Sequence, residues 1–139
     1  MRVLAIDHGE ARCGLAVCDA TQTIVRPLSA VPPDVKVIAG IAAEERAGRI
    51  VIGLPLSTDG SEGAQAGVVR AFCGELEGEV TVPIELVDER FTTAMAAASR
   101  QAGAGADEDS LAAAHLLEHW LAANENSAPD TGEAMGDKA

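Results

Sequence analysis

The apolar residues of the chain fall into short continuous runs near its start and into helical spacing further along. The runs over 2–7 and 14–19 each end in an aspartate, and a glycine-containing loop separates them. This pattern predicts two buried strands joined by a tight turn. A third run over 23–31 ends at the pair Pro32-Pro33, which breaks a strand. The first part of the chain is therefore predicted to form a meander of three antiparallel strands.

Helices and strands alternate in the rest of the chain. Helices are predicted over 35–47 and 66–76, from Thr92 or Thr93 to about 102, and over about 109–121, and strands over 49–54 and 84–87. Asp34 is predicted to cap the first helix and Gly48 to end it. The segment RIVIGL is apolar throughout, which is typical of a strand buried on both faces of a parallel sheet.

This order of elements predicts an α/β protein with the ribonuclease-H-like architecture. Its five-stranded mixed sheet would contain the three antiparallel strands and then a right-handed βαβαβ unit, with helices on its faces. The domain is predicted to cover residues 1–122, and the polar, aperiodic segment 123–139 is predicted to be a disordered acidic tail. Hydrophobic residues make up 47% of the chain and aromatic residues only 2%, so we expect a core of valine, isoleucine, leucine and alanine.

Composition also indicates the cellular location of the protein and the state of its cysteines. No apolar run approaches the roughly 18 residues of a membrane span, and Asp7 falls too early for the core of a signal peptide, which predicts a cytoplasmic protein. Cys13, Cys18 and Cys73 lack zinc-ligand spacing and are expected to be reduced. The odd separation of Cys13 and Cys18 would put them on opposite faces of one strand.

The formal net charge of −12 argues against simple electrostatic binding of nucleic acid. Part of this charge lies in the predicted tail, but the predicted domain is also strongly acidic. A phosphate ligand would therefore need metal ions or a local cluster of arginines to overcome the field of the protein.

Acidic residues follow the predicted strands that would be parallel neighbours. Asp7 ends the first strand, the pair Asp88-Glu89 ends the last, and Asp109 opens the final helix. Because the carboxyl ends of parallel strands meet at one edge of a sheet, we expect Asp7, Glu89 and Asp109 to converge there. Carboxylate oxygens bind hard divalent cations, and a pair of Mg²⁺ or Mn²⁺ ions would offset their mutual repulsion. Such a site predicts metal-dependent hydrolysis of phosphodiester bonds.

Each of these acids also has a structural interpretation. Asp7 is a common type of turn residue, and Asp109 is a common first-turn acid of a helix. Asp88 and Glu89 alternate in direction, so at most one of them faces the site. We favour Glu89 as the ligand, with Asp88 either supporting it or acting as a secondary ligand.

Further residues are candidates for contact with the substrate. Arg12 follows Asp7 in the same turn as Gly9, a residue that suits either a positive φ or close approach of the backbone. Arg90 would either bind a phosphate bidentately or pair with Asp88. Thr92 and Thr93 would either cap a helix or contact a phosphate.

Four segments together resemble one protein family. IDHGEARCGLAVCD is similar to the opening pattern Asp-x-Gly-x-x-Arg-x-Gly-x-Ala, and VIGLPLSTDGSEGAQA is similar to a Gly-Leu-Pro-Leu loop followed by Asp-Gly-Ser/Thr-Glu. ELVDERFTT resembles an Asp-Glu-Arg-x-Ser/Thr-Thr segment, and DSLAAAHLLEHWL resembles a final alanine-rich helix that opens with aspartate. The family is the YqgF/RuvX group of pre-16S rRNA nucleases, or Holliday-junction-resolvase-like proteins, and the likeness covers about residues 2–121.

The resemblance implies a ribonuclease-H-like fold and a cytoplasmic, metal-dependent nuclease. It implies a role in ribosome biogenesis, in processing the 5′ end of the small-subunit ribosomal RNA precursor. Carried over by position, the acids of the family are Asp7, Glu89 and Asp109, with Asp88, Arg90, Arg12 and the 53–60 loop as supporting positions.

The chain departs from this family at three places. His8 replaces a residue that is usually aromatic or apolar, and Ala11 replaces one that is often lysine. The loop GAGADE before Asp109 is short and acidic where relatives often carry several basic residues. Because phosphate contacts supply much of the affinity for nucleic acid, we expect weaker substrate binding and a retained acid set.

Other functions are compatible with the same residues. The main alternatives are a resolvase of Holliday junctions or other branched DNA, and a weakly catalytic RNA-binding factor in ribosome assembly. Strands around an Asp-x-Gly motif also occur in ATP-binding folds, but those need a second domain of similar build, which 139 residues do not provide. The expected partner is nucleic acid, either structured RNA or branched DNA, without a membrane. The protein could act as a monomer or a homodimer.

Overall fold

A computed structural model describes residues 1–57, 59–88 and 108–127, without the side chains of residues 108, 109 and 125–127. Its strands are β1 (Arg2–His8), β2 (Cys13–Cys18), β3 (Val25–Pro27), β4 (Ala47–Leu54) and β5 (Ile84–Asp88). Its helices are α1 (Val35–Glu44), α2 (Ala64–Glu77) and α3 (Glu108–Ser127). Their order agrees with the sequence-based prediction, and the helix predicted to begin at Thr92 or Thr93 lies outside the described residues.

The strands form one five-stranded sheet in the order β3-β2-β1-β4-β5. β2 runs antiparallel to both β1 and β3, whereas β4 runs parallel to both β1 and β5. This arrangement confirms the predicted mixed sheet and makes β1, β4 and β5 parallel neighbours. The carboxyl ends of these three strands therefore lie along the same edge of the sheet.

Each face of the sheet buries a separate apolar cluster. Helices α1 and α2 pack on one face, named the α1–α2 face, and helix α3 packs on the other, named the α3 face. Cys13 belongs to the cluster on the α1–α2 face and Cys18 to the cluster on the α3 face, as their odd separation predicted. Cys13, Cys18 and Cys73 are all buried and free of disulfides, which agrees with the prediction of reduced thiols.

The predicted start of α1 is confirmed, and its predicted end is wrong. Asp34 caps the helix as predicted, because its Oδ1 accepts hydrogen bonds from the N–H groups of Lys36 and Val37 at 2.9 and 3.3 Å. The prediction that Gly48 ends the helix is wrong. The chain instead reverses at Arg46, whose φ of 58° lies in the left-handed region, and Gly48 lies inside β4.

The third strand and the last helix also differ from prediction. β3 is limited to Val25–Pro27, and the predicted strand continues only as an isolated bridge between Val31 and Cys13. Helix α3 extends to Ser127, so the part of the predicted tail from 123 to 127 is helical instead of disordered. Residues 128–139 of that tail lie outside the described part of the chain. None of the described helices is both long enough and apolar enough to span a membrane.

The connection between β2 and β3 is held by Asp19. Its Oδ1 accepts hydrogen bonds from the N–H groups of Ile24 and Thr23 at 3.1 and 2.8 Å, and its Oδ2 accepts one from Thr21 Oγ1 at 2.8 Å. The bond from Ile24, followed by those from Thr21 and Thr23, keeps the pKa of Asp19 below the usual value for an aspartate.

We expect Asp19→Asn to lower the free energy of unfolding at neutral pH but not in strong acid. Because the pKa of Asp19 is lowered in the folded state, its ionised form stabilises the fold above the unfolded pKa, and that contribution disappears as pH falls through the folded pKa. Urea denaturation of both proteins over a range of pH measures this difference. A difference in stability that stays constant into strong acid would contradict the role assigned to the carboxylate.

Candidate active site

Asp7 lies one residue before the end of β1, the central strand of the sheet. Side chains alternate along a strand, and Val3 and Ala5 belong to the cluster on the α3 face. Asp7 shares their parity, so its carboxylate lies on the α3 face at the carboxyl edge of the parallel strands. The side chain is only partly buried, as expected for a charged group at the end of a buried strand.

Glycines occupy the strand positions on both sides of Asp7. Gly14 of β2 is its registered partner. On β4, the last registered pair joins Ile6 to Ile52, so Gly53 follows at the next position, which is level with Asp7. Because neither glycine has a side chain, the surface beside the Asp7 carboxylate is not filled by its strand neighbours.

The β1–β2 hairpin holds Arg12 next to this edge. A Cβ atom at Gly9 would lie 2.6 Å from the carbonyl oxygen of Arg12, closer than real side chains approach backbone atoms. The hairpin can therefore keep this shape only with glycine at position 9, which agrees with the close approach predicted there. The Arg12 residue itself is exposed at the end of the hairpin.

We expect Gly9→Ala to destabilise the hairpin by about 1–3 kcal/mol, the usual cost of a forced steric overlap. The new methyl group would have to push the Arg12 carbonyl away. The unfolding midpoint in urea measures the loss, with Gly67→Ala as the control. Gly67 lies in α2, where an added Cβ would meet no described atom within 4 Å beyond its own helix backbone, so alanine should stabilise that helix slightly. Equal effects of the two substitutions would contradict the steric argument.

His8 lies on the opposite face of the sheet from Asp7. Its ring packs edge-on against Phe72 of α2, with 4.8 Å between ring centroids. Burial lowers the pKa of His8, although the negative charge of Asp7 opposes this shift. His8 therefore packs against the α1–α2 face and is not placed to join Asp7 as a ligand.

Asp88 also lies on the face opposite Asp7. It ends β5 in register with Leu54, and the residue before it, Val87, packs in the cluster on the α3 face. Alternation then places Asp88 on the α1–α2 face. This placement agrees with the prediction that at most one of Asp88 and Glu89 faces the site. Glu89, Arg90, Thr92 and Thr93 lie outside the described residues, and their assigned roles stay predictions.

The start of helix α3 is fixed to β2 beside Asp7. Ser110 is the one fully buried polar residue among those whose burial is described, and its Oγ accepts a hydrogen bond from the N–H of Leu15 at 3.2 Å. Leu15 follows Gly14, the partner of Asp7. Asp109, which immediately precedes Ser110, therefore has its backbone in the first turn of α3 at the same edge, while its carboxylate lies outside the described atoms.

Sequence reasoning did not identify Ser110. A serine just after an acid at the start of a helix is an ordinary first-turn residue, and no pattern in the sequence marks it as buried. What identifies Ser110 is its hydrogen bond with Leu15, a contact between residues 95 positions apart in the sequence.

The loop after β4 is folded onto α2 at the same edge. Ser57 and Ser61 are joined by a backbone hydrogen bond of 2.9 Å, and the left-handed Gly60 (φ 88°) makes the turn between them. Arg70 of α2 then donates to both carboxylate oxygens of Glu62, at 2.7 and 2.6 Å. These contacts connect the described residues after β4 to α2, although an ion pair this exposed adds little stability.

No three acidic, histidine or cysteine side chains within the described part of the chain lie close enough to share a metal ion. Of the three predicted ligands, only Asp7 has a described carboxylate. The donor set predicted for the site consists of carboxylate oxygens, which suits hard divalent cations such as Mg²⁺ and Mn²⁺ rather than softer metals. The partly exposed Asp7 with glycines on either side is compatible with such an ion.

The fold is ribonuclease-H-like. The structure of Thermus thermophilus RuvC in complex with a Holliday junction substrate superposes with a TM-score of 0.60 at 18% sequence identity, covering 92% of this chain and 98% of that one. A second T. thermophilus RuvC structure gives a TM-score of 0.55. At this level of identity the likeness defines the fold class and confirms the predicted architecture.

The sequence identifies the particular group within this class. The family described as "RuvX: Holliday junction resolvase" matches residues 1–123, and the chain belongs to this family. A protein of Anaeromyxobacter sp. (strain Fw109-5) named "Putative pre-16S rRNA nuclease" is 44% identical over 132 residues, which cover 87% of this chain and 96% of that protein. A protein of Chloroflexus aurantiacus with the same name is 34% identical over 136 residues, which cover 90% of this chain and 89% of its own. The family resemblance drawn from the four sequence segments is thus confirmed.

Proposed function

We propose that this protein is a nuclease that hydrolyses phosphodiester bonds with the help of Mg²⁺ or Mn²⁺. The observation that supports this most strongly is the hydrogen bond from Leu15 to Ser110, which holds the first turn of α3 against the strand that pairs with Asp7. The names of the relatives support the same reaction. When bound, a pair of such ions would stabilise the attacking and leaving oxygens of an in-line displacement.

In this proposal Asp7, Glu89 and Asp109 hold the metal ions through carboxylate oxygens. Val87 packs on the α3 face, and a side chain two positions further along an extended chain would point to that face too. This alternation favours Glu89 over Asp88 as the ligand from the end of β5. Asp88 would then support the site from the other face of the sheet.

The remaining predicted residues would position the substrate. Arg12 would contact a phosphate from the hairpin shaped by Gly9, and Arg90 would bind a phosphate bidentately. Thr92 and Thr93 would donate hydrogen bonds to the sugar–phosphate backbone. Because the formal charge of the chain is −12, these local contacts and the metal ions must overcome an unfavourable long-range field.

The substrate we propose is the 5′ end of the 16S ribosomal RNA precursor, which places the activity in the cytoplasm. The names of the relatives support RNA as the substrate. Branched DNA is a second candidate, because the family description refers to Holliday junctions. Symmetric resolution of a four-way junction needs two active sites, so that function would require a homodimer, whereas RNA trimming is compatible with a monomer. A weakly catalytic assembly factor would bind RNA without cutting it.

A cleavage assay distinguishes these functions. The purified protein is incubated with Mn²⁺ or Mg²⁺ and labelled substrates: a precursor RNA that carries the 16S 5′ end, a four-way DNA junction and unstructured single strands. Metal-dependent cleavage of the RNA alone supports the proposed function, and cleavage of the junction by a dimer supports the second candidate. RNA binding with every substrate left intact would exclude both nucleases and favour the assembly factor. Light scattering gives the oligomeric state in the same samples.

A further inference from the structure

The backbone N–H of Leu15 in β2 has no carbonyl partner on the segment between β3 and α1 that runs beside it. Leu28 N–H donates to the Leu15 carbonyl at 2.8 Å, and Val31 exchanges two hydrogen bonds with Cys13 at 2.7 and 3.0 Å. The segment from Leu28 to Val31 is one residue longer than the segment from Cys13 to Leu15 that it faces. This extra residue is a bulge, which interrupts the ladder beside Leu15.

Ser110 of helix α3 provides the acceptor for the Leu15 N–H, which the bulge leaves without a carbonyl partner. The N–H of Leu15 donates to Ser110 Oγ at 3.2 Å instead of to a carbonyl of the neighbouring segment. Ser110 is fully buried, so water does not replace this acceptor. Both partners lie near the proposed site: Leu15 follows Gly14, which pairs with Asp7, and Ser110 follows Asp109.

We infer that Ser110 is a positioning residue of the metal site, which sets the place of the first turn of α3, and with it Asp109, relative to Asp7. This inference rests on the proposed function. The two carboxylates come from distant parts of the chain, and the bond between Leu15 and Ser110 joins the strand that pairs with β1 to the helix that carries Asp109. Without the hydroxyl, the buried N–H of Leu15 would lack an acceptor, and the start of α3 would shift to admit one.

Such a shift should affect small cations more than large ones. Mg²⁺ requires near-ideal octahedral geometry, whereas Ca²⁺ accepts six to eight oxygens in flexible arrangements. A changed spacing of the carboxylates should therefore weaken Mg²⁺ binding more than Ca²⁺ binding. A loss of stability alone would not change the ratio of the two affinities.

The test compares Ser110→Ala with the unaltered protein and with Ala113→Gly. Ala113 is also fully buried and lies one helical turn further along α3, in the cluster on the α3 face, so its change to glycine weakens the helix without touching the Leu15 bond. Binding of Mn²⁺ is followed by electron paramagnetic resonance, and Mg²⁺ and Ca²⁺ affinities by displacement of Mn²⁺. Hydrogen exchange of the Leu15 amide reports the hydrogen bond itself.

Ser110→Ala should weaken Mn²⁺ and Mg²⁺ binding by about tenfold or more, the range measured when supporting partners of metal ligands are removed. It should lower the Mg²⁺ to Ca²⁺ affinity ratio and speed exchange of the Leu15 amide, while Ala113→Gly leaves the ratio unchanged. If Ser110→Ala does not fold, Ser110→Cys serves for the same test, because its thiol is of similar size but a weaker acceptor.

Two negative results have different meanings. If the unaltered protein binds Mn²⁺ and the Ser110 variants bind it equally well with the same Mg²⁺ to Ca²⁺ ratio, the positioning role is wrong and the proposed function stands. If the unaltered protein binds no divalent cation and cleaves no substrate, the proposed function itself is wrong, and the positioning role is rejected with it.

Discussion

Asp7→Asn should lose metal-dependent cleavage almost completely while the protein still folds. Removal of a supporting partner of a metal ligand typically costs 10–100-fold in affinity or activity, so loss of a direct ligand should cost at least about 10²-fold. Glu89→Gln and Asp109→Asn should have the same effect under the proposed mechanism. Initial rates of cleavage at several Mn²⁺ concentrations measure the loss, and thermal unfolding reports whether the variants are folded.

Glu10→Gln is the matched control for this experiment. Glu10 is exposed in the same β1–β2 hairpin, and its change to glutamine removes the same charge without a predicted role in the site. It should keep nearly full activity. In the absence of metal, Asp7→Asn should be as stable as the unaltered protein or slightly more stable, because it relieves repulsion between carboxylates. If Asp7→Asn unfolds the protein, or if both variants lose activity equally, Asp7 is structural and not a ligand.

Leu117→Ala should destabilise the protein by about 2–5 kcal/mol, the usual cost of truncating a buried leucine. Leu117 is fully buried in the cluster by which α3 packs on β1, β2 and β4. Total stabilities of domains are about 5–15 kcal/mol, so this single change would remove a large share. It would also loosen the helix that carries Asp109, and we expect cleavage to fall in proportion to the fraction of folded protein.

Urea denaturation measures this effect, with Glu118→Ala as the comparison on the next residue of the helix. The Glu118 carboxylate is half-exposed and lies 3.1 Å from His115 Nδ1. Its removal should change the free energy of unfolding by no more than about 0.5 kcal/mol. A similar loss of stability in both variants would mean that α3 is not packed on the sheet through Leu117.

Several features of the fold were predictable because they depend on residues close together in the sequence. Continuous apolar runs and helical spacing gave the order of the elements, and Asp34 was recognisable as a helix cap. The opposite orientations of Cys13 and Cys18 follow from the alternation of side chains along one strand. The place of Asp7 at the carboxyl end of β1 follows from the run of apolar residues that it ends.

Other features were not predictable from local pattern. Gly48 was the expected helix terminator, yet Arg46 takes the left-handed conformation because β4 already begins at Ala47 and pairs there with Arg2. The third strand was predicted to continue to residue 31, but a bulge interrupts its pairing with β2. Both errors arise from pairing with distant strands, which overrides the preference of single residues.

Some features of the candidate site were likewise predictable from the sequence, and others depend on tertiary contacts. The amino-acid order alone establishes that an acid ends the first strand, that acids follow the last strand and open the last helix, and that the segments are those of the RuvX family. The register between strands places glycines beside Asp7 and turns Asp88 to the other face, and a hydrogen bond between Leu15 and Ser110 fixes the start of α3 at the same edge. These last features depend on contacts between residues far apart in the chain, and neither periodicity nor composition carries information about such contacts.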